Sequence, residues 1–129
     1  MQRVIGLGLA LVAGALFGAT AVSKLQAQSK APGAYVIVDI AEITNPDVFK
    51  TLGPKAGPAA AAAGGQFVAR TDNVIALDGT TPPKRFVIIG FDSIDKAKAF
   101  WASPAQQEVA AINKSSAKSR NFIVEGMSN

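Results

Sequence analysis

The chain has neither cysteine nor histidine among its 129 residues, and it has a single tryptophan and a single tyrosine. Without cysteine there is no disulfide framework, no thiol nucleophile and no thiolate metal site. Without histidine, the commonest general base and the commonest metal ligand are missing too. Together these absences remove most hydrolase, zinc and haem-ligand mechanisms, so neither metal nor cofactor is expected. Runs of like charge are also missing. The formal charge is +4, from 13 basic and 9 acidic residues, and Arg3 and Lys24 near the N-terminus account for half of it. The other Lys and Arg residues are scattered among Asp and Glu, so the basic balance does not point to nucleic acid. A phosphate loop is lacking as well: Gly64-Gly65 has no following Gly-Lys and comes after a predicted helix, where such loops come before one.

What is present begins with an apolar N-terminus. Residues 1–3 are short and positive, and 4–22 form an uninterrupted apolar or small stretch rich in Gly and Ala. This reads as a secretory signal peptide covering residues 1–29. Ala19-Thr20-Ala21 fits the small-x-small cleavage pattern, and so does the favoured Ala27-Gln28-Ser29. The expected mature protein is periplasmic or secreted, touching a membrane only through this segment before cleavage. An alternative is an uncleaved inner-membrane anchor, since about 19 residues at about 1.5 Å each nearly match the roughly 30 Å hydrocarbon layer. No cysteine follows the apolar run, which excludes a bacterial lipoprotein anchor.

Residues 30–129 are expected to form one domain with one modest core. Segment 34–42, AYVIVDIAE, alternates and reads as a strand. Asn45-Pro46-Asp47 then starts a helix with a cap, a proline at its first position and an acid in its first turn. Val48, Phe49 and Leu52 are placed on the core side. Pro54 and Pro58 are expected to break or kink this helix before the alanine run 59–63, and Gly64-Gly65 to end it. Strands follow over 66–70, briefly over 74–77, and over 85–91, with DGTTPP at 78–83 as a loop. Ser93 caps a second helix over 94–116, interrupted at Ser103-Pro104, and 121–126 closes the chain as a strand.

The order is an α+β ferredoxin-like βαββαβ arrangement, an antiparallel sheet with helices on one face and a small extra strand between the halves. Strand residues are apolar on both faces, at Val36, Ile37, Val38, Val87, Ile88 and Ile89. The face without helices is therefore expected to meet another subunit.

Several segments resemble one family. They are Gly64-Gly65-Gln66-Phe67 with Arg70, Pro83 with Arg85, the F-D-S run 91–93, Phe100-Trp101-Ala102-Ser103-Pro104 with Gln107, and the terminal F-I-V-E-G. Together they resemble the domain of unknown function 1330 family of the dimeric α+β barrel superfamily, over roughly residues 34–126. The resemblance implies a homodimer whose two sheets form a barrel, and it implies no activity. It departs at Ala105-Gln106, where an acidic residue and an aromatic are common, so no role is carried over to those positions.

Candidate site residues follow from chemistry at strand and helix ends. Arg70 and Arg85 lie on or beside strands, where a guanidinium can bind a carboxylate or enolate in bidentate fashion. The plainer reading is an ion pair with Asp39, Asp72 or Asp92. Asp39 is an acid inside an apolar strand, and desolvation there would favour its taking up a proton as a general base. The plainer reading points it outward or pairs it with an arginine. Trp101, Ser103 and Gln107 surround the helix break and could line the mouth of a small-molecule pocket. Their plainer reading is core packing and helix capping. Ser115-Ser116 with Lys118 reads as a solvated turn. The expectation is a homodimeric domain that binds a small, partly apolar, anionic molecule between sheet and helices. The alternatives are a cofactor-independent isomerase or monooxygenase, and a structural or stress-related protein without a ligand.

Overall fold

The β-rich segment that follows the N-terminal stretch builds the central strand β1, Ala34–Ile43, of a four-stranded antiparallel sheet whose strands lie in the spatial order β2 (Gln66–Thr71), β3 (Arg85–Phe91), β1, β4 (Ala117–Glu125). The computed structural model describes residues 31–127, and the signal peptide and its cleavage site lie outside them. After β1 come helix α1 (Pro46–Phe49), a 3-10 turn (Lys50–Leu52) and helix α2 (Gly53–Ala62). Strands β2 (Gln66–Thr71) and β3 (Arg85–Phe91), helices α3 (Ile94–Ala102) and α4 (Pro104–Ser116), and strand β4 (Ala117–Glu125) complete the ferredoxin-like α+β order.

Local chemistry explains the helix ends. Asn45 caps α1, its side-chain oxygen accepting from Val48 N–H, with Pro46 next in line. Ser93 Oγ accepts from Lys96 N–H at 3.1 Å to cap α3. Gly64, at φ +80°, ends α2: its N–H donates to the carbonyl of Ala61 and that of Gly65 to the carbonyl of Ala60, which also accepts from Ala63 N–H.

Sheet register decides which side chains meet the helices. Across β3, β1 and β4, Ile89, Val36 and Ile123 form one row, Val87, Val38 and Asn121 the next, and Arg85, Ile40 and Ser119 a third. All three rows share the helix-covered face, since side chains two apart in a strand point the same way. A bulge at Val68 shifts the pairing of β2, so Phe67 sits opposite Ile89 and Arg70 opposite Val87. An odd spacing of three thereby places Phe67 and Arg70 on one face. The core lies beneath α2, α3 and α4, with Val36, Phe91 and Phe100 fully buried and the two phenylalanine rings 5.0 Å apart.

Five local expectations are corrected. Residues 74–77 form no strand: they belong to an irregular loop between β2 and β3, with Ile75 and Leu77 exposed. The β2 and β3 ladder is already complete without them, and the surrounding Asp, Asn, Gly and Pro disfavour another. The first helix is interrupted by the 3-10 turn just before Pro54, which occupies the first turn of α2 where a missing N–H is harmless. Pro58 lies inside α2 and does not end it. Val48 is on the outside of α1, while Phe49 and Leu52 turn inward. Finally, β4 starts four residues earlier than expected, because α4 runs straight into it. Ser116 is consequently no solvated turn residue: it is fully buried, its Oγ donates to Ile112 O, and its carbonyl accepts from Thr44 and Asn45.

Candidate functional site

Between the sheet and its helices lies a cavity of about 290 Å³. The middle of its sheet side is apolar, built from Val38, Ile40, Val87 and Ile89, and its helix side includes Phe49 and Val109. Arg70 from β2, Arg85 from β3 and Lys50 from the 3-10 turn line it, the Lys50 ammonium being exposed and 3.8 Å from the Asp47 carboxylate. Among the described residues, no carboxylate lines it. The cavity therefore favours an apolar body carrying negative charge.

The two arginines are held differently. Arg85 is largely buried and donates from Nη1 to Asp72 Oδ1 at 2.6 Å, which ties the start of the β2–β3 loop to its end. Asp72 is well exposed, so water weakens this pair. Among the described residues, four of the five Arg85 guanidinium donors have no other acceptor. Arg70 is exposed and lies over the Phe67 ring, 5.0 Å from its centroid. That stacking holds a long side chain at the cavity mouth.

The structure brings Arg70, Arg85 and Trp101 together around one cavity. Ser103, Gln107 and Asp39 stand elsewhere. Ser103 joins two helices, its Oγ donating to Phe100 O at 2.7 Å and accepting from Gln106 N–H at 3.3 Å. Gln107 Nε2 donates to Trp101 O at 2.6 Å and so caps the end of α3. Asp39 falls between Val38 and Ile40 in β1 and therefore points to the opposite face of the sheet. There it accepts from Arg120 Nη2 at 2.9 Å.

The cavity also holds polar residues that sequence reasoning missed, namely Lys50 and three amides, Gln106, Asn113 and Asn121. Gln106 and Asn113 are only 5% and 7% exposed. A signal for them existed: with Val109 and Ala110 they occupy positions i, i+3, i+4 and i+7 of α4, the spacing of a buried stripe. Amides on such a stripe are costly unless they have work to do. Gln106 lies at one of the two positions where the family resemblance breaks off, yet it is a wall of this cavity.

Comparison with known proteins agrees with this architecture. No curated protein matches the chain. Among solved structures, RPA0582, a protein of unknown function from Rhodopseudomonas palustris, is similar at 13% identity and a TM-score of 0.59. That match covers 85% of this chain and 94% of the other. SnoaB, a cofactor-independent oxygenase from Streptomyces nogalater, is similar at 15% identity and a TM-score of 0.51, covering 77% and 97%. At these identities the likeness concerns the fold. Residues 33–127 match the family described as "Domain of unknown function (DUF1330)", and the chain belongs to that family.

Proposed function

We propose that the protein is an exported homodimeric domain that binds a small, partly apolar anion between its sheet and its helices. One observation carries this reading: an apolar cavity lined by Arg70, Arg85 and Lys50 contains no carboxylate among its described lining residues. A buried carboxylate ligand would be paired in bidentate fashion by Arg85, with Arg70 closing over it from the mouth. Trp101 supplies a flat apolar wall.

Dimer formation is supported by the face of the sheet that carries no helix. Ile37, Ile88, Phe122 and Val124 share it, and the last two are 45% and 47% exposed. An apolar sheet face of this kind needs a cover, and a second copy offers an equally apolar one. Export rests on the N-terminal residues 1–29, whose charged start, apolar run and small-x-small end suit a signal peptide.

The enzyme alternative draws on SnoaB, a cofactor-independent oxygenase of similar fold. A catalyst of that type working in this cavity needs a group there to move a proton. Asp39 lies on the other face of the sheet, which favours binding over catalysis.

Native mass spectrometry of the protein recovered from the periplasm of a bacterial host tests all three parts in one spectrum. A dimer that begins near residue 30 and carries additional mass is the expected result. A monomer retaining residues 1–29 would overturn the dimer and the export together, and calorimetry with small carboxylates then decides the binding reading separately.

A further inference from the structure

The cavity lining is divided by chemical type. Its cations come from β2, β3 and the 3-10 turn, whereas its amides come from α4 and β4. Strand β1, with Val38 and Ile40, lies between them. From β3 to β4 this amounts to two strand spacings, about 10 Å. Across the sheet, a ligand filling the space would meet Arg85 on β3, apolar side chains on β1 and the Asn121 amide on β4, the strand against which the amide-bearing α4 packs.

Among the described residues, the Gln106 side-chain amide has unused hydrogen-bonding capacity. Gln106 is nine-tenths buried and lines the cavity, and its hydrogen bond within the fold is made by its backbone N–H to Ser103. Two turns further along α4, Asn113 donates from Nδ2 to Ser119 Oγ at 2.9 Å. Its Oδ1 is buried with no hydrogen-bond partner among the described residues. Buried amides seldom persist without a partner, because an unmade hydrogen bond forfeits the hydration of both groups. Size narrows the ligand further. A dry cavity of about 150 Å³ accepts benzene, so about 290 Å³ suits one substituted ring and is too small for several fused ones.

We infer that the ligand is a hydroxylated monocarboxylate of single-ring size, its carboxylate at Arg85 and its hydroxyl at Gln106. A hydroxyl both donates and accepts, and so does the Gln106 amide, so the two satisfy each other in either direction. The inference rests on the anion-binding reading proposed above. Gln106 is then the residue that sets specificity, while Arg85 supplies affinity common to all carboxylates.

Isothermal titration of the processed dimer with benzoate, 4-hydroxybenzoate and 4-methylbenzoate separates the two ideas. Hydroxyl and methyl have nearly the same size, so a preference for 4-hydroxybenzoate reports hydrogen bonding. We expect that preference to be roughly tenfold. In Gln106→Leu the ratio of the 4-hydroxybenzoate to the 4-methylbenzoate affinity should fall to one or below. Equal or tighter binding of 4-methylbenzoate by the unaltered protein, a comparison needing no variant, overturns the inference and leaves the anion site standing. Failure of all three carboxylates to bind removes both.

Discussion

Asp39 and Arg120 face each other across β1 and β4, with Arg120 Nη2 2.9 Å from Asp39 Oδ2, on the side of the sheet turned away from the cavity. Arg120 also lies over the Phe122 ring, 5.5 Å from its centroid, so the pair belongs to the helix-free face. Asp39 is the acid that sequence reasoning offered as a base, and its side chain is 15% exposed while that of Arg120 is 74% exposed. Within one protomer a pair this wet on one side contributes little, about 0–1 kcal/mol, and the proposed dimer would cover it.

It follows that Asp39→Asn should leave carboxylate binding in the cavity unchanged within about twofold. Stability of the single protomer should fall by less than about 1 kcal/mol, which the monomeric Phe122→Glu background measures. Calorimetry and urea unfolding check the two quantities. A binding loss of tenfold or more would show that the helix-free face takes part in the site.

Arg85→Ala removes a largely buried guanidinium from the cavity, together with its pair to Asp72. A hydrogen bond to a charged partner contributes about 1.5–3 kcal/mol, so carboxylate affinity should drop roughly 10- to 150-fold. Arg70→Ala should cost less, because Arg70 is exposed at the mouth. Titration with benzoate measures the two losses. Equal losses, or none at Arg85, would remove the assignment of the main anion contact to β3.

How much of this was legible in the chain depends on where the determinants sit. The order of strands and helices shows in the change of hydrophobic period between 86–91 and 94–101, and the Ser93 and Ser103 caps are local signals that the structure reproduces. The sheet register is not local. No periodicity reveals that a bulge at Val68 turns Phe67 and Arg70 to one face, or that Asp39 lies opposite Arg120, because both depend on strands far apart in sequence. The false strand at 74–77 has the same origin: Val74 to Leu77 is apolar enough to be a strand, but it pairs with neither edge strand, β2 or β4. Gln106 and Asn113 were visible as polar residues on a buried stripe, yet only the cavity gives that oddity a meaning.

The helix-free face yields a separate prediction. Phe122→Glu puts a carboxylate among Ile37, Ile88 and Val124, where a partner sheet would have to desolvate it. Sedimentation should show a dimer for the unaltered protein and a monomer for the variant, with secondary structure retained. A dimer that survives this substitution would place the subunit interface elsewhere.

Two adjacent glycines should respond in opposite ways. Gly64 has φ +80° with open space around it, so Gly64→Asn meets only a modest backbone penalty, Asn being tolerated in that conformation. Gly65 has the reverse problem. A Cβ there would lie 2.7 Å from Phe91 Cζ and 3.0 Å from Ile89 Cγ2. Phe91 is fully buried and rests against Phe100, so its ring has nowhere to retreat. Gly65→Ala should therefore cost about 1–3 kcal/mol as overpacking, against less than about 1 kcal/mol for Gly64→Asn. For a domain of this size, each kcal/mol lowers Tm by roughly 4–8 °C, well within reach of a thermal melt. Because Ile89 also lines the cavity, the displaced core should weaken carboxylate binding in Gly65→Ala while Gly64→Asn leaves it intact. If the two variants melted and bound alike, the close approach of Gly65 to the Phe91 ring would not be a constraint on this fold.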